Sequence, residues 1–195
     1  PPILLINWNN SNISCNGAND GSISMTINGG VPNYTINVPP YSQTLPNGLN
    51  SFTTPSVISA GTYSYIITDS SGCAINDSIT ISEPSVLAIN PTVTSVLCKN
   101  QNNGSIILNT NGGTTPYIED FGAANPLVLS AGNYPFTITD GNGCIFTNSI
   151  VITEPDSLLV LASSIDATCA GYFDGTATLI TNGGCPYYPE FNRIN

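Results

Sequence analysis

The stretch "AGTYSYIITDSSGC" at residues 60–73 returns as "AGNYPFTITDGNGC" at residues 131–144, with the AG, the Tyr, the ITD and the GC in register. The copy is wider than the quotation. Pro84 and Pro155, Cys98 and Cys169, Cys73 and Cys144, and Glu83 and Glu154 all stand 71 residues apart. One unit has therefore been written more than once. The first copy is longer, because Pro1 and Pro84, Cys15 and Cys98, and Gly30 and Gly113 are separated by 83. The 12 extra residues fall inside the polar, Pro-rich stretch "INVPPYSQTLPNGLNSFTTPS", where a surface connection absorbs length most readily. The reading is a tandem array: module 1 at residues 1–83, module 2 at 84–154, and the first part of module 3 at 155–195. The third copy stops after its first half, so the chain reads as a stretch of a longer array.

Apolar residues recur with a period of two. Ile23, Met25 and Ile27 alternate with Ser24 and Thr26, and Ile106 with Leu108 and Ala177 with Leu179 repeat the spacing. Tyr63, Tyr65 and Ile67 are matched by Tyr134, Phe136 and Ile138, and each set runs into a "TDSSGC" or "TDGNGC" turn. In such a turn Asp caps the backbone and Gly takes a positive φ. A further strand carries Ile75, Ile79 and Ile81, or Phe146, Ile150 and Ile152. No window of helical period competes. Short strands broken by Gly, Pro and Asn turns predict an all-β chain of tandem small immunoglobulin-like antiparallel β-sandwich modules.

Composition narrows the function. Lys99 and Arg193 are the two basic residues against 12 acidic ones, for a net charge of −10. So few cations can neutralise neither phosphates nor an anionic membrane, so no nucleic-acid partner is expected. No apolar run is long enough to span a bilayer, and no direct membrane insertion is expected. With no His in the chain, imidazole base catalysis and His metal ligation fall away, and no catalytic residue, metal or cofactor is assigned.

Six cysteines carry the strongest constraint. Cys73 shares parity with Ile75, Ile79 and Ile81, which points it to the inner face of its strand. Two readings stand: disulfides inside each module, Cys15 with Cys73 and Cys98 with Cys144, or reduced thiols packed as small hydrophobes. Disulfides closing loops of 46 to 58 residues would stabilise each module by roughly 4 kcal/mol. Cys169 is left without its partner, and Cys185 stands where Val31 and Thr114 stand in the other copies.

"CNGANDGSISMTINGGVPNYTI", "ISAGTYSYIITDSSGCAINDSITISEP" and their second copies resemble the SprB repeat of giant Bacteroidetes surface adhesins, over essentially the whole chain. The resemblance implies a secreted, extracellular, cell-surface adhesin exported by type IX secretion and, in gliding members, moved along the cell. Asn100 departs from the pattern, replacing the usual Gly after the early Cys, and Cys185 is atypical. "DSI" and "DSL" resemble the Bacteroidetes O-glycosylation sequence, with Ser78 and Ser157 as acceptors.

Each candidate site has a plain alternative. Asp69, Asp140, Asp20 and Asp174 could hold calcium, but turn capping is the simpler role, and Asn103 fills the place of Asp20 in the second copy. Glu83–Pro84 and Glu154–Pro155 read as module junctions, since a lone carboxylate per copy has no acid/base partner. Pro holds the preceding Glu extended and couples neighbouring modules stiffly. Trp8, Tyr34, Tyr41, Tyr117, Tyr187 and Tyr188 could stack on sugars or simply pack. Asn9, Asn12, Asn33, Asn76 and Asn103 begin N-glycosylation sequons, which matter only in a eukaryotic host. Two functions survive: stalk repeats of an adhesin filament supporting attachment and gliding, or a glycan-binding β-sandwich module. The expected partners are neighbouring repeats of the same chain, with surface polysaccharide or other adhesin and gliding components. A binder would expose a matched aromatic platform in every copy, with Tyr41 and Phe52 beside the insertion as the first place to look.

Overall fold

The computed structural model describes residues 2–55 and 57–185, and within them the period-two segments form sixteen β-strands and no helix. The chain divides into two compact units: residues 1–88 with 111–118 and 139–146, and residues 89–110 with 119–138 and 147–195.

The first unit contains the whole first repeat. Its strands are β1 (Leu5–Trp8), β2 (Ser24–Asn28), β3 (Tyr34–Val38), β4 (Tyr41–Leu45), β5 (Ser51–Thr53), β6 (Gly61–Thr68) and β7 (Ala74–Ile81). They form two sheets, β1-β2-β5 and β4-β3-β6-β7, a three-over-four division of the immunoglobulin kind. Alternation sets which side chains meet between them. Met25 and Ile27 from one sheet, with Ile23 just before β2, and Ile36, Val38, Tyr65, Ile67 and Ile81 from the other are buried in one cluster. A one-residue register slip would turn each of these sets to solvent, so pairings such as Ile67 opposite Ile75 are fixed by burial as well as by hydrogen bonds.

The inserted stretch is more ordered than its polar composition suggests. It supplies β4, which pairs with β3 from Tyr34–Leu45 to Val38–Tyr41, and β5, which pairs with β2. Leu45 and Phe52 are the anchors, both buried in the core. Two apolar residues at the right parity are enough to turn a surface connection into strands.

The second repeat uses β8 (Ala88–Ile89), β9 (Thr92–Thr94), β10 (Ser105–Ile107), β11 (Thr110–Asn111), β12 (Ile118–Asp120), β13 (Gly132–Thr139) and β14 (Ile145–Ile152). The order β12-β13-β14 repeats β3-β6-β7, while β9 pairs with β10 and β8 with β11. In the second unit Val96, Ile106, Leu108, Leu129, Phe136, Ile138 and Ile152 are buried, and the Phe121 and Phe136 rings lie 5.7 Å apart. From the third copy, β15 (Leu159–Ile165) and β16 (Thr176–Asn182) form one antiparallel pair whose residues are all exposed.

Candidate functional site at the repeat junction

Three short loops recur in the copies. The first surrounds the early cysteine. The carbonyls of Cys15, Cys98 and Cys169 accept from the amides of Ala18, Gln101 and Tyr172 at 2.9, 3.2 and 3.1 Å. Across each loop an Asx side chain accepts the amide before the cysteine: Asp20 from Ser14 at 3.0 Å, Asn103 from Leu97 at 3.1 Å and Asp174 from Thr168 at 3.1 Å. Asn100 occupies the place of Gly17 and keeps its left-handed backbone, φ 62° against 75°, which Asn tolerates better than most residues. The departure from glycine therefore leaves the turn unchanged.

The junction glutamates cap these loops. Glu83 Oε2 accepts from the Gly17 amide and Glu154 Oε2 from the Asn100 amide, each at 2.7 Å. Asn16 Nδ2 donates to the Pro84 carbonyl at 3.0 Å. Since the Ile13 amide also donates to Ser82, the early-cysteine loop sits where β7 ends.

The second loop is the hairpin turn that carries the late cysteine. Asp69 and Asp140 are buried. One oxygen of Asp69 accepts from the Ser71 and Cys73 amides at 3.0 and 2.9 Å, and one of Asp140 from Asn142 and Cys144 at 2.9 and 2.8 Å. The other oxygen reaches the third loop, accepting from Val31 at 2.9 Å and Thr114 at 2.8 Å. The Ser71 hydroxyl and the Val31 amide hold the Asp69 carboxyl below its ordinary 3.8 against the opposing effect of burial. Burial raises Asp140, but amides from Thr114, Cys144, Asn142 and Gly143 outweigh it and leave this carboxyl low as well. Hydroxyls of Ser14 and Thr168 do the same for Asp20 and Asp174. All four aspartates accept hydrogen bonds from the turns they stand in. Among the described residues no group of three or more Cys, Asp or Glu side chains is clustered to hold a metal.

The third loop is the Gly-Gly pair. Gly29, Gly30, Gly112 and Gly113 all have positive φ, and a side chain at Gly112 would strike the Val86 carbonyl at 1.8 Å. Only glycine lets this backbone lie against the opening segment of its own repeat. Tyr34 and Tyr117 lock the loop, donating to the Gly29 and Gly112 carbonyls at 2.7 and 2.5 Å.

These positions decide the disulfides, and they overturn pairing within a module. The early-cysteine loop lies at the end of β7, whereas Cys73 precedes its start. The eight residues between them span about 26 Å of extended chain, far beyond disulfide reach. The expectation that parity turns Cys73 inward also fails: Cys73 precedes the strand, in the turn, and is exposed. Cys15 bonds instead to Cys144, Cα to Cα 5.6 Å, and Cys98 to Cys185, 4.8 Å. Both bonds cross a repeat boundary. The first is possible because the second repeat's Gly-Gly loop and Asp140 turn pack on its opening segment, beside the Glu83–Pro84 exit of the first repeat. Gly113 donates to Ser85 at 2.8 Å, and Asn142 Nδ2 donates to the Ser14 carbonyl at 2.9 Å. Cys185 occupies the Gly-Gly loop position of Thr114, the residue held by Asp140 in the second repeat. Cys73 and Cys169 are free and exposed.

The aromatic candidates face inward or serve the turns. Trp8 packs on Tyr65 with ring centroids 4.6 Å apart, Tyr34 and Phe52 are buried, and Tyr117 and Tyr41 are half-buried. Tyr63 and Tyr134 donate to the Ser59 and Ser130 carbonyls. Tyr187 and Tyr188 lie outside the described residues. Ser78 and Ser157 are exposed.

The class is thus set: all-β repeats following one another along the chain, capped alike and bonded across their boundaries. The family model of the SprB repeat matches residues 9–50 and 90–117, the stretches that hold the early-cysteine and Gly-Gly loops of the first two copies. No curated protein matches the chain. No helix among the described residues is long and apolar enough to cross a membrane.

Proposed function

We propose that this chain is a spacer in a secreted cell-surface adhesin, a run of stalk repeats at residues 1–83, 84–154 and 155–195 that carries load between an anchor and a distal binding region. The observation that carries the reading is the connectivity: both disulfides tie one repeat to the next. A ligand-binding module gains nothing from such links, whereas a load-bearing array gains a limit on how far its repeats separate. The SprB match supports a cell-surface adhesin repeat, a family of structural rather than catalytic units, and the disulfides fit an oxidising, extracellular setting. Among the described residues the matched aromatics of the first two copies are buried or bonded to backbone, which offers the glycan reading no repeated stacking platform there. Attachment, gliding and type IX export belong to this proposal, as do contacts with surface polysaccharide or other adhesin and gliding components. O-glycans on Ser78 and Ser157 belong to it too.

Single-molecule stretching tests the reading. With both links closed, the chain should reach only about a third of the full extension it attains after reduction. An oxidised chain that extends as far as the reduced one would end the load-bearing reading. Tight, saturable binding of one glycan class by the 195-residue chain would replace it with the binding module.

A further inference from the structure

Asparagine is followed by glycine seven times, at Asn16, Asn28, Asn47, Asn103, Asn111, Asn142 and Asn182. Glycine has no Cβ to hinder attack by its own amide on the preceding side chain, so the fold decides which of these steps react. At three of them the attacking amide is engaged. Gly17 donates to Glu83 at 2.7 Å, Gly104 to the Leu129 carbonyl at 2.9 Å and Gly143 to the Asp140 carbonyl at 3.0 Å. The side chains before them are tied as well: Asn16 donates to the Pro84 carbonyl, Asn103 accepts from the Leu97 amide and Asn142 donates to the Ser14 carbonyl. At three more the backbone has no room to turn. Asn28, Asn111 and Asn182 each end a strand, and a Cβ on the glycine that follows would lie 1.9, 1.8 and 2.4 Å from the carbonyl oxygens of Ile3, Val86 and Ser157. Asn47 differs on every count. It stands in the insertion of the first repeat, between β4 and β5, where residues 46–50 are all exposed. A Cβ on Gly48 would meet nothing within 4 Å, and the bond that closes the turn, from the Leu49 amide to the Pro46 carbonyl at 3.1 Å, does not engage the Gly48 amide.

We propose that Asn47 is a site of spontaneous modification, converting to aspartate and isoaspartate in the folded chain while the fold protects the other six Asn-Gly steps. The Gly48 amide nitrogen attacks the side-chain carbonyl carbon of Asn47. The new C–N bond closes a five-membered imide, the bond from that carbon to Nδ2 breaks, and ammonia leaves with the amide proton. Water then opens the imide at either carbonyl, giving aspartate or an isoaspartate whose main chain runs through the former side chain. One water enters, one ammonia leaves and nothing is oxidised. Each conversion adds a carboxylate to a chain whose net charge is already −10. The buried anchors Leu45 and Phe52 flank the turn without belonging to it, so the sandwich survives the change. The new charge falls in the first repeat and has no counterpart in the second, which lacks the insertion. The inference stands apart from the load-bearing reading, because it needs only the geometry of one turn.

Ageing the protein tests it. The 195-residue chain with both disulfides closed is incubated at mildly alkaline pH and digested with pepsin in acid, and isoaspartate and the gain in mass are read peptide by peptide. An unchanged far-UV spectrum establishes that the chain stays folded throughout. Asn47 should convert at least about tenfold faster than any of the other six, which corresponds to about 1.4 kcal/mol of added barrier at the protected steps. The reduced chain in denaturant should convert all seven at similar rates, since only the fold separates them. Conversion led by another asparagine in the folded chain, Asn47 converting no faster than the rest, or the same spread of rates in the folded and unfolded chains would each overturn the proposal.

Discussion

The turns Asp69–Cys73 and Asp140–Cys144 have the same backbone, the same buried aspartate and the same amide caps, yet one ends in a free thiol and the other in a disulfide. What separates them is the neighbour. Against Cys144 lies the Cys15 loop, whose Ser14 carbonyl accepts from Asn142. No such loop lies against Cys73 among the described residues. A repeat therefore builds each half of a junction by itself, and the covalent link is a property of succession.

The sharpest way to break that comparison is to substitute the two cysteines separately. Cys144→Ser opens a link of 129 residues and should cost up to about 5 kcal/mol in the chain-entropy model, whereas Cys73→Ser should stay within about 0.5 kcal/mol. Denaturant unfolding of the oxidised monomer measures both, and equal costs would mean the two turns are equivalent after all. Below the turns the comparison predicts likeness instead. Ile67 and Ile138 are both fully buried, and Ile67→Ala and Ile138→Ala should each cost about 3 kcal/mol by the same assay. A silent variant would show that one repeat lacks a real core.

Smaller effects sharpen the loop account. Tyr34→Phe and Tyr117→Phe each remove one hydrogen bond to a Gly-Gly carbonyl and should cost about 1 kcal/mol apiece. Lack of any change in midpoint would leave the matched tyrosines without their tying role. Acid acts on both turns together. The Asp69 and Asp140 carboxyls are depressed below 3.8 in the folded state, so the stability they supply is fully present above that value. It is lost as pH falls through 3.8 towards the lower folded values. The melting temperature should hold near neutrality and fall in that acidic window. Asp69→Asn and Asp140→Asn should each flatten the fall, and an unchanged slope would remove the aspartates from the account.

Much of this was legible in the residues and some was not. Alternation placed Ile23, Met25, Ile27, Tyr65, Ile67 and Ile81 in the core, since a strand's faces follow from its period alone. The same alternation at Ala177 and Leu179 yields an exposed strand, because burial needs a second sheet to face. The insertion looked like a loop because Pro, Ser and Asn outnumber the anchors Leu45 and Phe52. Turn capping by Asp69 and Asp140 could be read from "TDxxGC". The glutamate caps on the early-cysteine loops could not, because Glu83 and Gly17 lie 66 residues apart and meet only once the sandwich closes. Cysteine pairing failed for a similar reason. Regular spacing suggested partners within a copy, but which end of an eight-residue strand each loop occupies is a matter of three dimensions.

The account rests on links that cross repeat boundaries. Digestion by pepsin in acid suits this chain, because Lys99 and Arg193 leave trypsin little to cut and protonated thiols do not reshuffle the bonds. Mass mapping of the unreduced peptides should recover Cys15 with Cys144 and Cys98 with Cys185, and should find Cys73 alkylated in the monomer. Recovery of Cys15 with Cys73 and Cys98 with Cys144 would contradict it.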